Sequence, residues 1–274
     1  MNRTFFLLAP LFAALLVAGC DENVATGPDT PSRAPRNLSA YSAGDASVAL
    51  SWTAPSDSSD STFTGFQVKY AGQTQDFGRT ARNAVVSGVA AGEQVFEVVA
   101  KRSSGTAESA TIRWAPAARF DTPSSLPEYI FLVSTPSGFD VGDSIFNPTA
   151  LQIEASSQGR MDLYLQAVSD TDSALTFKSA RIYNAGWRPT VFSTVSHTAP
   201  NLNYGLTAFP AENTFSLYQV RLASNTIYYA KTFGFDGTVH YARLHVQILP
   251  GLSFPARRVE VRVSLQRSQG VRSA

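Results

Sequence analysis

The stretch Ser47-Val48-Ala49-Leu50-Ser51-Trp52 indicates the fold class most directly, because small or polar side chains alternate in it with large apolar ones. In an extended strand Val48, Leu50 and Trp52 share one face, since side chains alternate with a period of two. Residues 65–70 repeat the alternation. Strands with one apolar and one polar face are typical of antiparallel sheets that cover a core. We therefore predict an all-β protein.

Further alternating segments surround this stretch at intervals of about 8 to 12 residues, which is the spacing of a β-sandwich. The predicted strands are residues 37–41, 47–52, 65–70, 84–89, 94–100 and 107–114. We expect them to form one β-sandwich over residues 36–116.

The C-terminal part of the chain predicts a second antiparallel β domain over residues 128–270, after a linker at 117–127 that contains two prolines. Its clearest signal is Asp236-Gly237, a strong hairpin dipeptide between two alternating segments. The predicted segments are strands at 129–133 and 175–183, a hairpin of 149–155 and 161–167, and a meander of 215–222, 226–233, 238–249 and 257–266.

The chain begins with Arg3 and an almost unbroken apolar run over residues 5–17. This run is shorter than the roughly 20 apolar residues that a transmembrane helix needs, and it has the layout of a secretory signal. Leu16-Val17-Ala18-Gly19-Cys20 resembles the lipobox of bacterial lipoproteins. The resemblance implies that residues 1–19 are a signal peptide, cleaved before Cys20, and that the Cys20 thiol carries lipid. Residues 20–35 are rich in Asp, Thr, Pro and Gly, which predicts a disordered tether.

Charge and cysteine content restrict the partners of the protein. The 22 basic and 21 acidic residues leave a formal net charge of +1, with both signs scattered. A nucleic-acid partner would need a concentrated basic face, so we expect none. Cys20 is the only cysteine, so its lipidation leaves no thiol for a disulfide. We expect a bacterial cell-envelope protein attached to the membrane through this lipid, with the outer membrane or cell surface favoured over the inner membrane.

Several segments of the first predicted domain match one known pattern, namely residues 35–38, 48–55, 65–70, 89–92, 96–100 and 104–109. Together they resemble a fibronectin type III domain. The resemblance implies a β-sandwich that acts as a spacer or as a protein-binding module. The family usually has a tyrosine where this chain offers Val95 or Phe96, so the hydroxyl contact of the tyrosine corner is absent.

The sequence contains no recognisable catalytic motif. No cysteine follows Cys20, and neither a Gly-x-Ser-x-Gly elbow nor a P-loop is present. Asp140 and Asp143 lie in a predicted turn, but a calcium loop needs more oxygen ligands at closer spacing. We therefore predict a non-enzymatic protein without a resident cofactor. A carbohydrate hydrolase stays open as an alternative, because the spacing of its carboxylates is tertiary and fibronectin-type domains accompany such catalytic domains.

The leading functional hypothesis is an extracytoplasmic binding module for a protein or glycan. Exposed aromatic side chains anchor interfaces well. The candidate ligand-binding residues are Tyr183, Trp187, Tyr228 and Tyr229.

Residues 225–228 and 235–246 give a second hypothesis, because they resemble the closing hairpin of HmuY-like haem-binding lipoproteins. In that family paired histidines hold the haem iron. The resemblance therefore implies a haem or small-ligand capture protein, with His197 and His240 as candidate axial ligands. His245 lies on the same predicted strand as His240, and a regular strand directs the two side chains to opposite faces.

Overall fold

The computed structural model describes residues 33–129, 135–142, 147–167, 174–204, 209–234, 236–254 and 256–271. They form two antiparallel β-sandwiches in succession, so the all-β prediction is confirmed. The predicted signal peptide, Cys20 and the predicted tether as far as residue 32 lie outside the described residues. In the described part of the chain no helix combines the length and the apolar character that crossing a bilayer requires.

The first sandwich contains seven strands in two sheets. One sheet has the order β1 (Arg36–Gly44), β2 (Ser47–Thr53), β5 (Asn83–Ser87), and the other has the order β4 (Gln73–Phe77), β3 (Phe63–Tyr70), β6 (Gln94–Arg102), β7 (Glu108–Trp114). The alternating apolar residues of β2 and β3 are buried between the sheets, as predicted. Trp52 packs edge-on against Phe66 with the ring centroids 5.2 Å apart, a favourable aromatic geometry.

The boundaries of this sandwich differ from the prediction at its start. Residues 33–35 belong to it rather than to a tether, because Pro35 is buried and Arg33 Nε lies 3.4 Å from Asp57 Oδ2. Strand β4 was not predicted, since all but its last residue are exposed and polar and carry no alternation.

The prediction of a linker at residues 117–127 is wrong, because nearly all of these residues form strand β8 (Ala118–Pro127). β8 pairs with β18 (Arg258–Gln266) at the edge of a sheet. Proline lacks an N–H to donate and is therefore tolerated on an edge strand. Pro123 lies where the register between the two strands shifts, between the Val261 and Val263 pairs. The second domain accordingly begins near Ala118 instead of residue 128.

The second sandwich packs a six-stranded sheet against a five-stranded sheet. The strand order of the six-stranded sheet is β14 (Phe215–Leu217), β13 (Thr190–Thr198), β16 (Thr226–Phe233), β17 (Val239–Ile248), β18 and β8. The strand order of the five-stranded sheet is β10 (Thr149–Leu151), β9 (Gly138–Asp140), β11 (Leu163–Ala167), β12 (Leu175–Ser179) and β15 (Gln219–Arg221). Alternate residues of both sheets, such as Phe177 and Phe192, which stack at 6.5 Å, form the core between them.

Three predicted segments of this domain are arranged differently. β16, β17 and β18 form a meander as expected, but the segment 215–222 divides at Tyr218 between the two sheets. β13, a strand that was not predicted, takes its place beside β16. The predicted hairpin of 149–155 and 161–167 does not form, because β9 pairs between β10 and β11.

The segment 175–183 is a strand only as far as Ser179 and then becomes helix α1 (Ala180–Tyr183). Of the predicted strand 129–133, residues 130–133 lie outside the described residues.

The two sandwiches join through a buried segment rather than a flexible one. Ser42 Oγ of β1 accepts hydrogen bonds from Trp114 Nε1 and from the Ala117 backbone N–H, each at 3.0 Å. Gln266 Nε2 of β18 donates to the Pro116 carbonyl at 3.3 Å. The chain thus passes from β7 into β8 with its backbone polar groups satisfied by both sandwiches.

Candidate binding surface

Two of the four predicted ligand-binding aromatics, Tyr228 and Tyr229, are not available to a ligand. They are 3% and 1% exposed. The Tyr228 hydroxyl accepts from the Ala223 N–H at 2.6 Å and donates to the Arg221 carbonyl at 3.1 Å. Tyr229 packs on the opposite face of the six-stranded sheet against Phe209, at 5.6 Å. The prediction failed for both because neighbouring residues of one strand face two different cores.

The other two, Tyr183 and Trp187, lie together at the outer face of the five-stranded sheet. Their ring centroids are 5.2 Å apart. Helix α1 places them there: the Ala180 N–H donates to the Asp162 carbonyl at 2.9 Å, and the Trp187 N–H donates to the Asn184 carbonyl at 2.9 Å. These bonds turn the chain back over the sheet directly after β12.

Two further tyrosines, Tyr129 and Tyr164, complete what we call the aromatic cluster, defined as Tyr129, Tyr164, Tyr183 and Trp187. The three tyrosine rings meet edge to face, with centroid distances of 6.1 to 6.2 Å. Tyr164 and Trp187 form its buried base at 3% and 6% exposure, whereas Tyr183 is 42% exposed. The cluster therefore offers the exposed ring of Tyr183 beside a half-buried Tyr129 and two buried rings.

The hydroxyls of Tyr129 and Tyr164 are protonated at neutral pH. Burial raises the pKa of Tyr164 to about 12, and the neighbouring Tyr129 and Tyr183 contribute in the same direction. Burial and a hydrogen bond with Tyr183 raise the pKa of Tyr129. Neutral phenols both donate and accept hydrogen bonds, so the cluster can pair with the hydroxyls of a ligand.

The sequence contains part of the signal for this cluster. Tyr164 lies between Leu163 and Leu165, which point into the core, so the alternation directs Tyr164 outward. Across the sheet Tyr164 lies opposite Gly138, where a Cβ would come within 2.3 Å of the Met161 sulfur. Tyr129 has no such local signal, because its contacts come from residues distant in sequence.

A row of basic side chains continues from the aromatic cluster across the same face. Lys178 is the cross-strand neighbour of Tyr164, and Gln219 is the neighbour of Lys178 on its other side. Arg221 lies two residues beyond Gln219, on the same face. Arg181 of α1 stacks over the ring of Tyr218 at 6.0 Å. We call Lys178, Arg181 and Arg221 the basic strip; sequence reasoning missed it, because their proximity depends on the pairing of β12 with β15.

The carboxylates near this surface are already neutralised by arginines. Asp162 Oδ1 accepts from Arg188 Nη2 at 2.7 Å and Asp140 Oδ2 from Arg160 Nε at 3.2 Å, with both carboxylates 0% exposed. Asp140 also accepts the Gly142 N–H at 2.7 Å, the arrangement of a turn. Asp143 lies outside the described residues.

The two histidines named for haem lie on opposite faces of the six-stranded sheet. His197 pairs with Ile227, and His240 pairs with Thr232. Ile227 and Thr232 are five residues apart on the regular strand β16 and so point in opposite directions. The pair therefore cannot hold one iron between them. Within the described ranges, no group of three or more His, Cys, Asp or Glu side chains is arranged to bind a metal.

Comparison with known proteins gives one family. Residues 33–113 match the family model of the fibronectin type III domain, so the first sandwich is such a domain. No curated protein matches this chain significantly. Among solved structures, a cycloalternan-degrading enzyme from Trueperella pyogenes in complex with cycloalternan is 8% identical and aligns over 81% of this chain with a TM-score of 0.26. The match spans 31% of that enzyme, and at this TM-score it carries no argument about fold or activity.

Proposed function

We propose that this protein is a non-enzymatic lipoprotein of the bacterial cell envelope and that it binds a glycan or protein through the aromatic cluster. The observation that carries the proposal is the exposed ring of Tyr183 on a base of nearly buried aromatic rings. Tyrosine and tryptophan supply contact area at low entropic cost and are enriched in binding surfaces. Rings, neutral phenols and free cations suit noncovalent recognition.

The fibronectin type III domain supports this role as a spacer or additional interaction module between the membrane and the binding sandwich. The proposed anchor is the lipid on Cys20, supported by the lipobox that ends at this residue. More than one acyl chain is needed for firm attachment. We propose the outer membrane or cell surface as its location. Incorporation of radiolabelled palmitate by the wild type, and its absence from the Cys20→Ser variant, would test the anchor.

The binding role is tested by replacing Tyr183. The full-length protein in detergent micelles is applied to a glycan array and to proteins extracted from cell surfaces, and bound ligands are titrated by calorimetry. We expect Tyr183→Ala to weaken binding by about tenfold or more, because removal of one anchoring aromatic typically costs over 1 kcal/mol.

Tyr204→Ala is the matched control, because Tyr204 is 56% exposed but lies over the outer face of the other sheet, where its carbonyl accepts from Arg243. A ligand bound equally well by the wild type and Tyr183→Ala would contradict the proposal.

A further inference from the structure

The basic strip differs from the other basic side chains around the five-stranded sheet. Arg160 and Arg188 each hold a buried aspartate, and Arg257 holds Glu128 through two bonds of 2.7 Å. By contrast Lys178, Arg181 and Arg221 have no acidic partner within the described part of the chain. Arg181 and Arg221 are exposed and Lys178 is half-buried.

This excess of positive charge is local. Over the whole chain 22 basic residues face 21 acidic ones, so an average surface region would be close to neutral. Among the described residues of this region the two buried aspartates are already paired, and three cations are left for solvent or for a ligand. An exposed cation on a surface pairs with an external anion without first breaking an internal ion pair.

The strip and the aromatic cluster form one continuous surface. Tyr164 and Lys178 are directly opposite in the register of β11 and β12, which places their Cβ atoms about 5 Å apart. Lys178 and Arg221 are diagonal neighbours across β12 and β15, about 7 Å apart. Arg181 is joined to the same edge through Tyr218, whose carbonyl accepts the Ser179 N–H at 2.8 Å. The aromatic cluster therefore continues directly into the basic strip.

We propose that the ligand of this surface is an anionic glycan, a sugar chain that carries carboxylate or phosphate groups. The inference rests on the proposed function and specifies its ligand class. Sugar rings would lie on Tyr183, their hydroxyls would pair with the neutral phenols, and their acid groups would pair with the basic strip. Guanidinium groups match the geometry of carboxylate and phosphate oxygens.

The composition of the surface favours a glycan over a lipid bilayer. A bilayer-binding surface presents several aliphatic or tryptophan side chains to the acyl region. Here Ile182 is the one exposed aliphatic side chain of α1, at 44%, and its exposed neighbours Tyr183 and Tyr218 carry hydroxyls. Hydrogen-bonding rings beside cations complement a hydroxylated, acidic ligand.

The test uses two pairs of matched probes. Full-length protein in detergent micelles is titrated with polygalacturonate and with its methyl ester, and with phosphomannan and unphosphorylated mannan. Within each pair, the neutral polymer has the same sugar backbone as the acidic polymer but lacks its charged groups. We expect at least one acidic polymer to bind at least about tenfold more tightly than its neutral partner, with an affinity that falls as salt is added.

The variant that tests the strip is Lys178→Gln, Arg181→Gln, Arg221→Gln. We expect its affinity for the acidic polymer to fall about tenfold or more, from the loss of three exposed ion pairs. The control is Lys69→Gln, Lys101→Gln, Arg113→Gln, which removes the same charge from the first sandwich, where these side chains form surface ion pairs. Circular dichroism and urea unfolding verify that both triple variants are folded.

The outcomes separate this inference from the proposed function. Suppose that the charged and neutral polymers bind equally well, and that Tyr183→Ala loses this binding while the strip variant keeps it. This result would contradict the proposal that the ligand is anionic, and it would leave the proposed binding role intact. Suppose that polyglutamate binds, that neither acidic glycan does, and that the strip variant loses this binding. This result would contradict the proposal that the ligand is a glycan and would indicate an acidic protein. Failure of both acidic polymers to bind would also overturn the inference.

Discussion

Single residues decide where the candidate binding surface can form, and Asp162 is the clearest case. Its carboxylate, fully buried, accepts from the Val141 N–H at 2.9 Å and from Arg188 at 2.7 Å. Its carbonyl accepts from the Ala180 N–H and from Thr190 Oγ1. Asp162 therefore positions the start of α1, and through α1 the ring of Tyr183. A buried ion pair is costly to break, since it leaves one charge without compensation.

His245 is a second residue whose environment was not apparent in the sequence. It is 1% exposed, and its Nε2 lies 2.9 Å from the Ala199 carbonyl. Burial lowers the pKa of His245; the Ala199 carbonyl acts in the opposite direction, and the positive charge of Arg262 on the adjacent strand lowers the pKa further. The imidazole is therefore neutral in the folded protein at neutral pH.

A lowered pKa predicts a loss of stability in acid. The pKa of His245 in the unfolded state is about 6.5, and above this pH its contribution to the free energy of unfolding is fully present. As the pH falls below this value, the unfolded state binds a proton more readily than the folded state, so the folded state loses stability. We expect the free energy of unfolding to decrease from pH 7 to pH 5, and to decrease less in His245→Gln, whose amide can still donate to Ala199. Urea unfolding at several pH values measures this, and identical slopes for the two proteins would contradict it.

At the scale of elements, side-chain alternation predicted where strands occur but not which sheet each strand joins. The alternation in β2 and β3 predicted both strands, because a period of two is a local property of the chain. In the segment 215–222 the apolar positions change phase at Tyr218, from Phe215 and Leu217 to Val220 and Leu222, and at this point β14 joins one sheet and β15 the other. The phase change does not indicate which sheet each half joins, since this follows from the positions of β12 and β13. The basic strip depends on this division, because it places Arg221 beside β12.

Strand β3 contains a glycine that its neighbour β4 requires. Gly65 has φ +147° and lies at the register shift between β3 and β6, and a Cβ at this position would come 2.4 Å from the Phe77 carbonyl oxygen. We expect Gly65→Ala to destabilise the first sandwich by about 1–3 kcal/mol, the usual cost of backbone strain.

Gly44→Ala is the control for this substitution, because a Cβ there meets no atom within 4 Å. We expect it to change the stability by no more than about 1 kcal/mol. Thermal unfolding followed by circular dichroism compares the two variants, and equal midpoints would show that the close approach to Phe77 is relieved in solution.

At the scale of the whole molecule, the two sandwiches share a buried junction. Trp114 belongs to the core of the first sandwich, and its indole lies 5.9 Å from the Arg243 guanidinium of the second. Arg243 also lies over the ring of Tyr229 at 5.8 Å and donates to the Tyr204 carbonyl at 2.8 Å. The described residues between 33 and 271 accordingly belong to one compact unit. The fibronectin type III domain and the second sandwich are thus joined by packed side chains and buried hydrogen bonds.

The junction predicts cooperative unfolding. We expect the wild type to unfold in one calorimetric transition. Ser42→Ala should lower its stability by roughly 2–4 kcal/mol, because it leaves the Trp114 and Ala117 N–H donors buried without their acceptor, each at a cost of about 1–3 kcal/mol. Ser103→Ala, at an exposed serine of the first sandwich, serves as the control. Two separate transitions in the wild type would contradict a shared junction.

The sequence by itself determined the all-β class, the fibronectin type III domain, and the turn at Asp236-Gly237 that connects β16 to β17. These features follow from side-chain alternation and turn chemistry, which act between residues close in the chain. They also account for the outward direction of Tyr164.

Only the tertiary structure decided which aromatic side chains are exposed, which faces the histidines occupy, and that residues 118–127 are a strand. Each of these depends on pairing between segments far apart in sequence, as for Glu128 and Arg257, whose ion pair spans 129 residues. Tyr183 and Tyr229 both lie in aromatic-rich segments, but α1 presents one to solvent and the six-stranded sheet buries the other. Local chemistry is the same in both, so burial is set by what packs against them.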